Sequence, residues 1–207
     1  KQLRGKGYVE RGWLGVIIQE VNRDLAESFG LKKPQGALIA QVLAGSPAEK
    51  SGLKAGDIIT EFDGKEVVLS SDLPYLVGSL PVGETVEIGL VRQGRAKTIE
   101  FEIGSLPKTG EQPSFASAEP PKVRDNRLGV TVSDAVGGVV VEFIEPGGVA
   151  ATIGLRPGTL ITMIGNKSIR SVDDFNMVLK GLPTNRLIPM RVVHNRMASF
   201  LAFKLPE

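Results

Sequence analysis

The sequence predicts a mainly β fold with short helices (α+β), built twice along the chain. Each copy is expected to be a partly open barrel or sandwich of five to six short strands, capped by two helices. Three observations carry this. Glycine and proline are frequent, 25 and 13 of 207 residues, while aromatics make up 5%, so short strands and turns surround aliphatic cores. Stretches such as Val86-Glu87-Ile88-Gly89-Leu90-Val91 alternate in polarity and meet turn dipeptides, Asp63-Gly64 and Gln93-Gly94 among them. The chain also repeats itself. Adding 102 carries Gly36-Ala37-Leu38-Ile39 onto Gly138-Val139-Val140-Val141, Gly52-Leu53-Lys54-Ala55-Gly56 onto Gly154-Leu155-Arg156-Pro157-Gly158, and Phe101 onto Phe203, with no gap.

In order, residues 1–10 are polar and read as a tether from something upstream. Residues 14–18 form an apolar strand. Asn22 is placed to cap a short helix through Phe29, with Leu25 and Phe29 on one face and Gly30 closing it. Residues 36–42 form the next strand. Ser46-Pro47-Ala48-Glu49 combines a capping serine, a proline in the first turn and a glutamate able to reach back, so a helix starts there and ends at Gly52. Strands are expected at residues 58–62 and 66–69. Ser70 or Ser71 should cap a helix whose Leu73, Leu76, Val77 and Leu80 follow the i, i+3, i+4, i+7 spacing of one apolar stripe. Strands at 86–91 and 97–103 close the first copy, over residues 11–105. Residues 106–126 hold Pro107, Pro113, Pro120 and Pro121 and are expected to be a flexible linker. The second copy occupies residues 127–207, with its helical stripe at Phe175, Val178, Leu179 and Leu182.

Composition narrows the function. The net charge of +2 is spread evenly, without the basic face of a nucleic-acid binder. No apolar run approaches the length of a membrane span. Cysteine is absent, which removes disulfides and thiolate chemistry and fits an oxidising compartment, although a cytoplasmic protein can also lack it. The chain starts at Lys1 and reads as a piece of something longer.

Two turns are the candidate sites. Arg11-Gly12-Trp13-Leu14-Gly15-Val16-Ile17-Ile18 returns, shortened, as Asn126-Arg127-Leu128-Gly129-Val130-Thr131-Val132. Here the offset is 114, so the first copy carries 12 extra residues, which include the helix after Asn22. Each glycine turn runs straight into an apolar strand. Such a turn aims several backbone N–H groups at one point, where an anion such as a peptide's terminal carboxylate fits, and an extended peptide can join the strand edge behind it. The plainer alternative is a tight turn feeding a buried strand.

The succession Leu-Gly-Val, Gly-Ala-Leu-Ile, Ser-Pro-Ala-Glu-Lys-Ser-Gly-Leu-Lys-Ala-Gly-Asp-Ile-Ile and a capped helix resembles bacterial PDZ domains. Two in tandem, entered through Lys-Gly-Tyr-Val-Glu-Arg-Gly-Trp-Leu-Gly-Val, look like the C-terminal half of periplasmic HtrA-type serine endoproteases of the DegP, DegQ and MucD kind. The resemblance implies that a partner's C-terminal carboxylate sits on the amides of Leu14, Gly15 and Val16, with Arg11 assisting or simply solvated. Its last residues would add beside Val16, Ile17 and Ile18. Its final side chain, expected to be apolar, would enter a pocket formed by Leu14, Val16, Ile17, Ile18, Leu73, Leu76 and Val77. The second-copy equivalents are Leu128, Gly129, Val130, Val132, Phe175, Val178 and Leu179, with Phe175 making that pocket shallower. The second copy departs at Thr159, where the first has Asp57, at Gly147-Gly148 in place of Gly45-Ser46, and in lacking Gly12-Trp13. The resemblance therefore carries its fold further than its peptide binding.

No catalytic residue, metal site or cofactor loop is expected. The Gly-Asn-Ser-Gly-Gly nucleophile context of the family is missing from this chain. The only histidine, His194, reads as an exposed turn residue. Asp57 should satisfy backbone N–H groups in its own turn. Asp173-Asp174 suits a helix N-terminus. The resemblance implies a substrate-recruiting, regulatory part of a periplasmic protease and chaperone in stress response and protein quality control. Its partners would be C-terminal tails of unfolded or misfolded proteins, its own protease domain, and further copies in an oligomer. The alternatives are a structural module making oligomer contacts, or the PDZ part of another protease class, site-2-type or carboxy-terminal processing.

Overall fold

The computed structural model describes residues 12–105, 123–125 and 127–206. The tether 1–10, Arg11 and most of the 106–126 linker lie outside the described residues. In chain order the elements are β1 (Gly12–Trp13), β2 (Val16–Glu20), α1 (Arg23–Ser28), β3 (Ala37–Val42), α2 (Pro47–Lys50), β4 (Ile58–Phe62), β5 (Lys65–Glu66), α3 (Asp72–Gly78), β6 (Thr85–Arg92), β7 (Arg95–Glu102) and β8 (Gly104–Ser105). They continue with β9 (Val123–Asp125), β10 (Val130–Ala135), β11 (Gly138–Ile144), α4 (Val149–Thr152), β12 (Leu160–Ile164), β13 (Lys167–Ser168), α5 (Val172–Lys180), β14 (Leu187–His194) and β15 (Met197–Lys204). The architecture is mainly β, in two open sheets.

The chain divides into two units, residues 1–22 with 33–112, and residues 23–32 with 113–207. In the first unit the sheet runs β2-β3-β4-β6-β7, with β5 pairing β4, and β1 pairs β8 separately. In the second it runs β15-β14-β12-β11-β10-β9, with β13 pairing β12. The repeat extends to irregularities. A bulge falls between Ile17 and Ile18 in β2, and at the matching Thr131 and Val132 in β10. Another falls between Ile59 and Glu61, and again between Ile161 and Met163. Gly36 and Gly138 both bring β-strand backbones close. A side chain on Gly36 would meet the Ile59 carbonyl at 2.6 Å, and one on Gly138 would collide with the Ile161 carbonyl.

Each unit has its own aliphatic core. In the first, Leu14, Ile39, Ile59, Phe62, Leu73, Val77, Ile88 and Phe101 are buried together. In the second, Leu128, Val132, Val141, Ile161, Phe175, Leu179, Met190 and Phe203 are.

Local expectations meet local corrections. The Ser46 hydroxyl accepts from Glu49 N–H at 3.2 Å, as a capping serine should, but the Glu49 carboxylate reaches Gly45 N–H at 2.7 Å, one residue short of the cap. Ser71 makes no side-chain cap on α3. Asp72, the first helical residue, instead holds the turn before the helix, its carboxylate accepting from Leu69 N–H at 2.8 Å and Val68 N–H at 3.2 Å. The strand expected at 66–69 shrinks to β5, because those two amides turn toward Asp72. The hairpins at Asp63-Gly64 and Gln93-Gly94 take the positive φ of primed turns, as does Asn195-Arg196 in the second unit.

Two larger corrections follow. The helix read as part of the first repeat, α1, belongs to the second unit, where it packs on β14 and β15. Leu25 and Ala26 are buried, and Phe29 meets Phe200 edge-to-face with ring centroids 5.4 Å apart. Residues 123–125, read as linker, form strand β9 in the second sheet.

Candidate peptide-binding groove

The loop between β1 and β2 is shaped by Gly15. Its φ of +80° favours glycine, and a side chain there would collide with Ser46. The loop's carbonyls point inward. Leu14 C=O accepts from Ala48 N–H at 3.0 Å, and Gly15 C=O from Leu43 N–H at 2.9 Å. Among the described residues, no hydrogen bond engages the N–H of Leu14 or Gly15, so the two amides remain available to an anion. Among the described residues β2 is terminal in its sheet, with β3 on one edge and no strand on the other.

Beside that edge lies a cleft of about 170 Å³. Leu14, Gly15, Val16 and Ile18 line it from the loop and β2, Leu73 and Val77 from α3. Ile17 and Leu76, predicted for the pocket, are not in its lining. Leu76 is half-buried against the core instead. Gly12, Trp13 and Pro74 also line the cleft. Trp13 was not read as a pocket residue because nothing in its spacing marks it, and only the β1 turn brings its ring beside Gly15. Arg11 lies outside the described residues.

The second unit repeats the loop. Leu128 C=O accepts from Ala150 N–H at 2.9 Å and Gly129 C=O from Glu145 N–H at 2.8 Å, as in the first. Gly129 has φ +73°. Leu128, Val130, Val132, Phe175, Val178 and Leu179 are all buried in one core, Phe175 completely. Here β10 has a strand on both edges, β11 and β9. Arg127, in the place of Trp13, donates from Nη1 to the Leu179 carbonyl at 2.8 Å.

The two units differ also behind the groove. Asp57 is almost fully buried and accepts from Lys54 N–H at 2.8 Å, the turn role expected of it. It also takes both arms of Arg92, at 2.6 Å to each oxygen, and Arg92 continues to the Gly52 carbonyl at 2.8 Å. Hydrogen bonding to Asp57 raises the Arg92 guanidinium pKa above its ordinary value. In the second unit the same two positions hold Thr159 and His194, whose hydroxyl and Nδ1 lie 3.1 Å apart. His194 is therefore half-buried and partnered, not the exposed turn residue expected.

Comparisons place this geometry. The PDZ domain family matches residues 12–103 and again residues 140–193. The chain belongs to the PDZ family, as a tandem pair. It is 48% identical over its full length to a probable DegP-like periplasmic serine endoprotease of Pseudomonas fulva (strain 12-X), covering 45% of that protein. It is 49% identical over its full length to the corresponding protein of Ectopseudomonas mendocina (strain ymp), covering 46%. The chain thus spans about half the length of the curated relatives it matches. Among solved structures, the HtrA-type protease AlgW with a decapeptide matches 52% of this chain and 33% of its own, at 31% identity and a TM-score of 0.47. The matched part is a binding module, not a catalytic one. Among the described residues no group of acidic or histidine side chains is arranged for a metal, and no helix is long and apolar enough to cross a membrane.

Proposed function

We propose that the first PDZ domain binds the C-terminal ends of peptides, and that the pair recruits substrate to an HtrA-type periplasmic serine protease and regulates it. One observation carries the reading. Among the described residues, an unpaired strand edge, an aliphatic cleft and two unengaged loop amides converge at Leu14-Gly15-Val16. The carboxylate sits on the amides of Leu14, Gly15 and Val16. The preceding residues extend the sheet along β2, and the last side chain enters between Ile18, Leu73 and Val77. The aliphatic lining selects an apolar last residue, which suits the tails of unfolded or misfolded proteins. Arg11 precedes the loop and adds charge attraction for the carboxylate. The relatives are named serine endoproteases, which supports a serine protease domain in the same protein as a partner; further copies in an oligomer complete the proposed set.

A single short peptide is expected to bind at micromolar strength, roughly 8 kcal/mol. The test is a titration of a peptide with an apolar last residue and a free carboxylate, run beside its amidated twin, following the fluorescence of the only tryptophan, Trp13. Saturable binding abolished by amidation and by Gly15→Val, in a variant whose circular dichroism is unchanged, is the expected result. Equal binding of both peptides would move the first domain to the structural-contact reading.

A further inference from the structure

The strand that should receive a peptide in the second domain already has a neighbour. Strand β9 pairs antiparallel with β10 on the edge away from β11, with Asp125 opposite Val130, Arg124 opposite Thr131 and Val123 opposite Val132. Among the described residues, no strand takes this edge of β2 in the first domain. The polarity is that of a bound C-terminus. The last residue of β9 lies opposite the first residue of β10, directly after the Leu128-Gly129 loop. Unlike a bound C-terminus, β9 carries no terminal carboxylate there, because the chain runs on into Arg127 and the loop itself.

The loop's surroundings agree. Glu145 stands where the first domain has Leu43. A side chain on Gly129 would lie 3.4 Å from Glu145 Cβ and 3.6 Å from its Oε2. A carboxylate at that point opposes an incoming carboxylate, whereas an internal strand brings none. Arg127 ties the loop to the last turn of α5 through the Leu179 carbonyl.

We propose that residues 123–125 are the resident ligand of the second groove. The second PDZ domain reads its own chain and leaves foreign C-termini to the first. The proposal rests on the carboxylate-reading function above for what a vacated second groove would bind, and on the strand pairing alone for its occupancy.

The test separates the two. Arg124→Pro with Asp125→Pro removes two successive N–H groups, so one that faces β10 is lost whatever the pairing phase. Amide exchange at residues 130–132 is expected to accelerate at least tenfold in this variant, and unchanged exchange would overturn the occupancy. Peptide binding is then read in a Gly15→Val background, which silences the first groove. With residues 124 and 125 intact, no saturable binding is expected. With both prolines and Glu145→Leu, a free-carboxylate peptide should bind and its amide should not. Binding to the intact second domain would overturn the proposal. Faster exchange without any peptide binding would also overturn it, by reducing β9 to a structural strand. Failure of the first-groove reading shows separately, as loss of carboxylate dependence when Gly15 is present.

Discussion

At Asp57 and Arg92 a single pair of side chains secures the back of the first domain. The carboxylate is buried, both its oxygens are engaged, and it also holds the Lys54 amide. Removing it leaves a guanidinium and an N–H without their partner. Asp57→Ala is expected to cost about 3 kcal/mol. Urea unfolding followed by Trp13 fluorescence measures this, since the only tryptophan lies in the first unit. Thr159→Ala removes a neutral contact to His194 and should cost the second unit about 1 kcal/mol. The Trp13 transition should not move in that variant. A Trp13 midpoint shifted equally by both substitutions would contradict this partition. Asp57 was legible as a turn residue because its partner Lys54 is three positions away. Arg92 was not, because only the pairing of β4 with β6 brings it near, 35 positions away.

Elements show the same divide between local and distant causes. Ser46-Pro47-Ala48-Glu49 announces α2 because its whole start signal fits in one turn. Ser46→Ala should cost about 1 kcal/mol, read by the same fluorescence transition. A larger loss would mean that Ser46 also braces the Gly15 loop, since it occupies the space that a side chain on Gly15 would take. The helix α1 was legible as a helix, but its address was not. Six residues are too few to hold a helix unaided, so its stability comes from what it packs on. That surface, β14 and β15, lies more than 150 positions later in the sequence, and no periodicity near Leu25 points to it. Phe29→Ala removes the contact with Phe200, a pair worth about 1 kcal/mol beyond its buried area. Faster amide exchange across residues 25–30 is expected, with the Trp13 transition unchanged. Strand β9 was hidden for a similar reason. Val123-Arg124-Asp125 has neither alternation nor length, and its order is supplied entirely by the edge of β10.

For the whole molecule, duplication accounts for what could be read and divergence for what could not. The repeat, at an offset of 114 through the loop and its strand and 102 from Gly36 onward, carries the bulges, the close-packed glycines and the loop carbonyl bonds from one copy to the other. It does not carry the substitutions that distinguish the grooves, Trp13 against Arg127 and Leu43 against Glu145, or, among the described residues, the strand β9 at the edge of the second groove. One fold thus presents two different surfaces to a peptide. A ligand that binds only the folded first domain stabilises that domain by mass action, by about 2.7 kcal/mol at a hundred times its dissociation constant. Hydrogen exchange mass spectrometry reads where this stabilisation falls. A free-carboxylate peptide at that concentration is expected to slow exchange in β3 and β4, whose opening requires the first domain to open. It should leave β11 and β12 at their unliganded rates, and the amidated peptide should slow neither. Slowing of both sheets by the free peptide would show that the second groove also accepts it, or that the two domains open together, and the division of roles between them would fall.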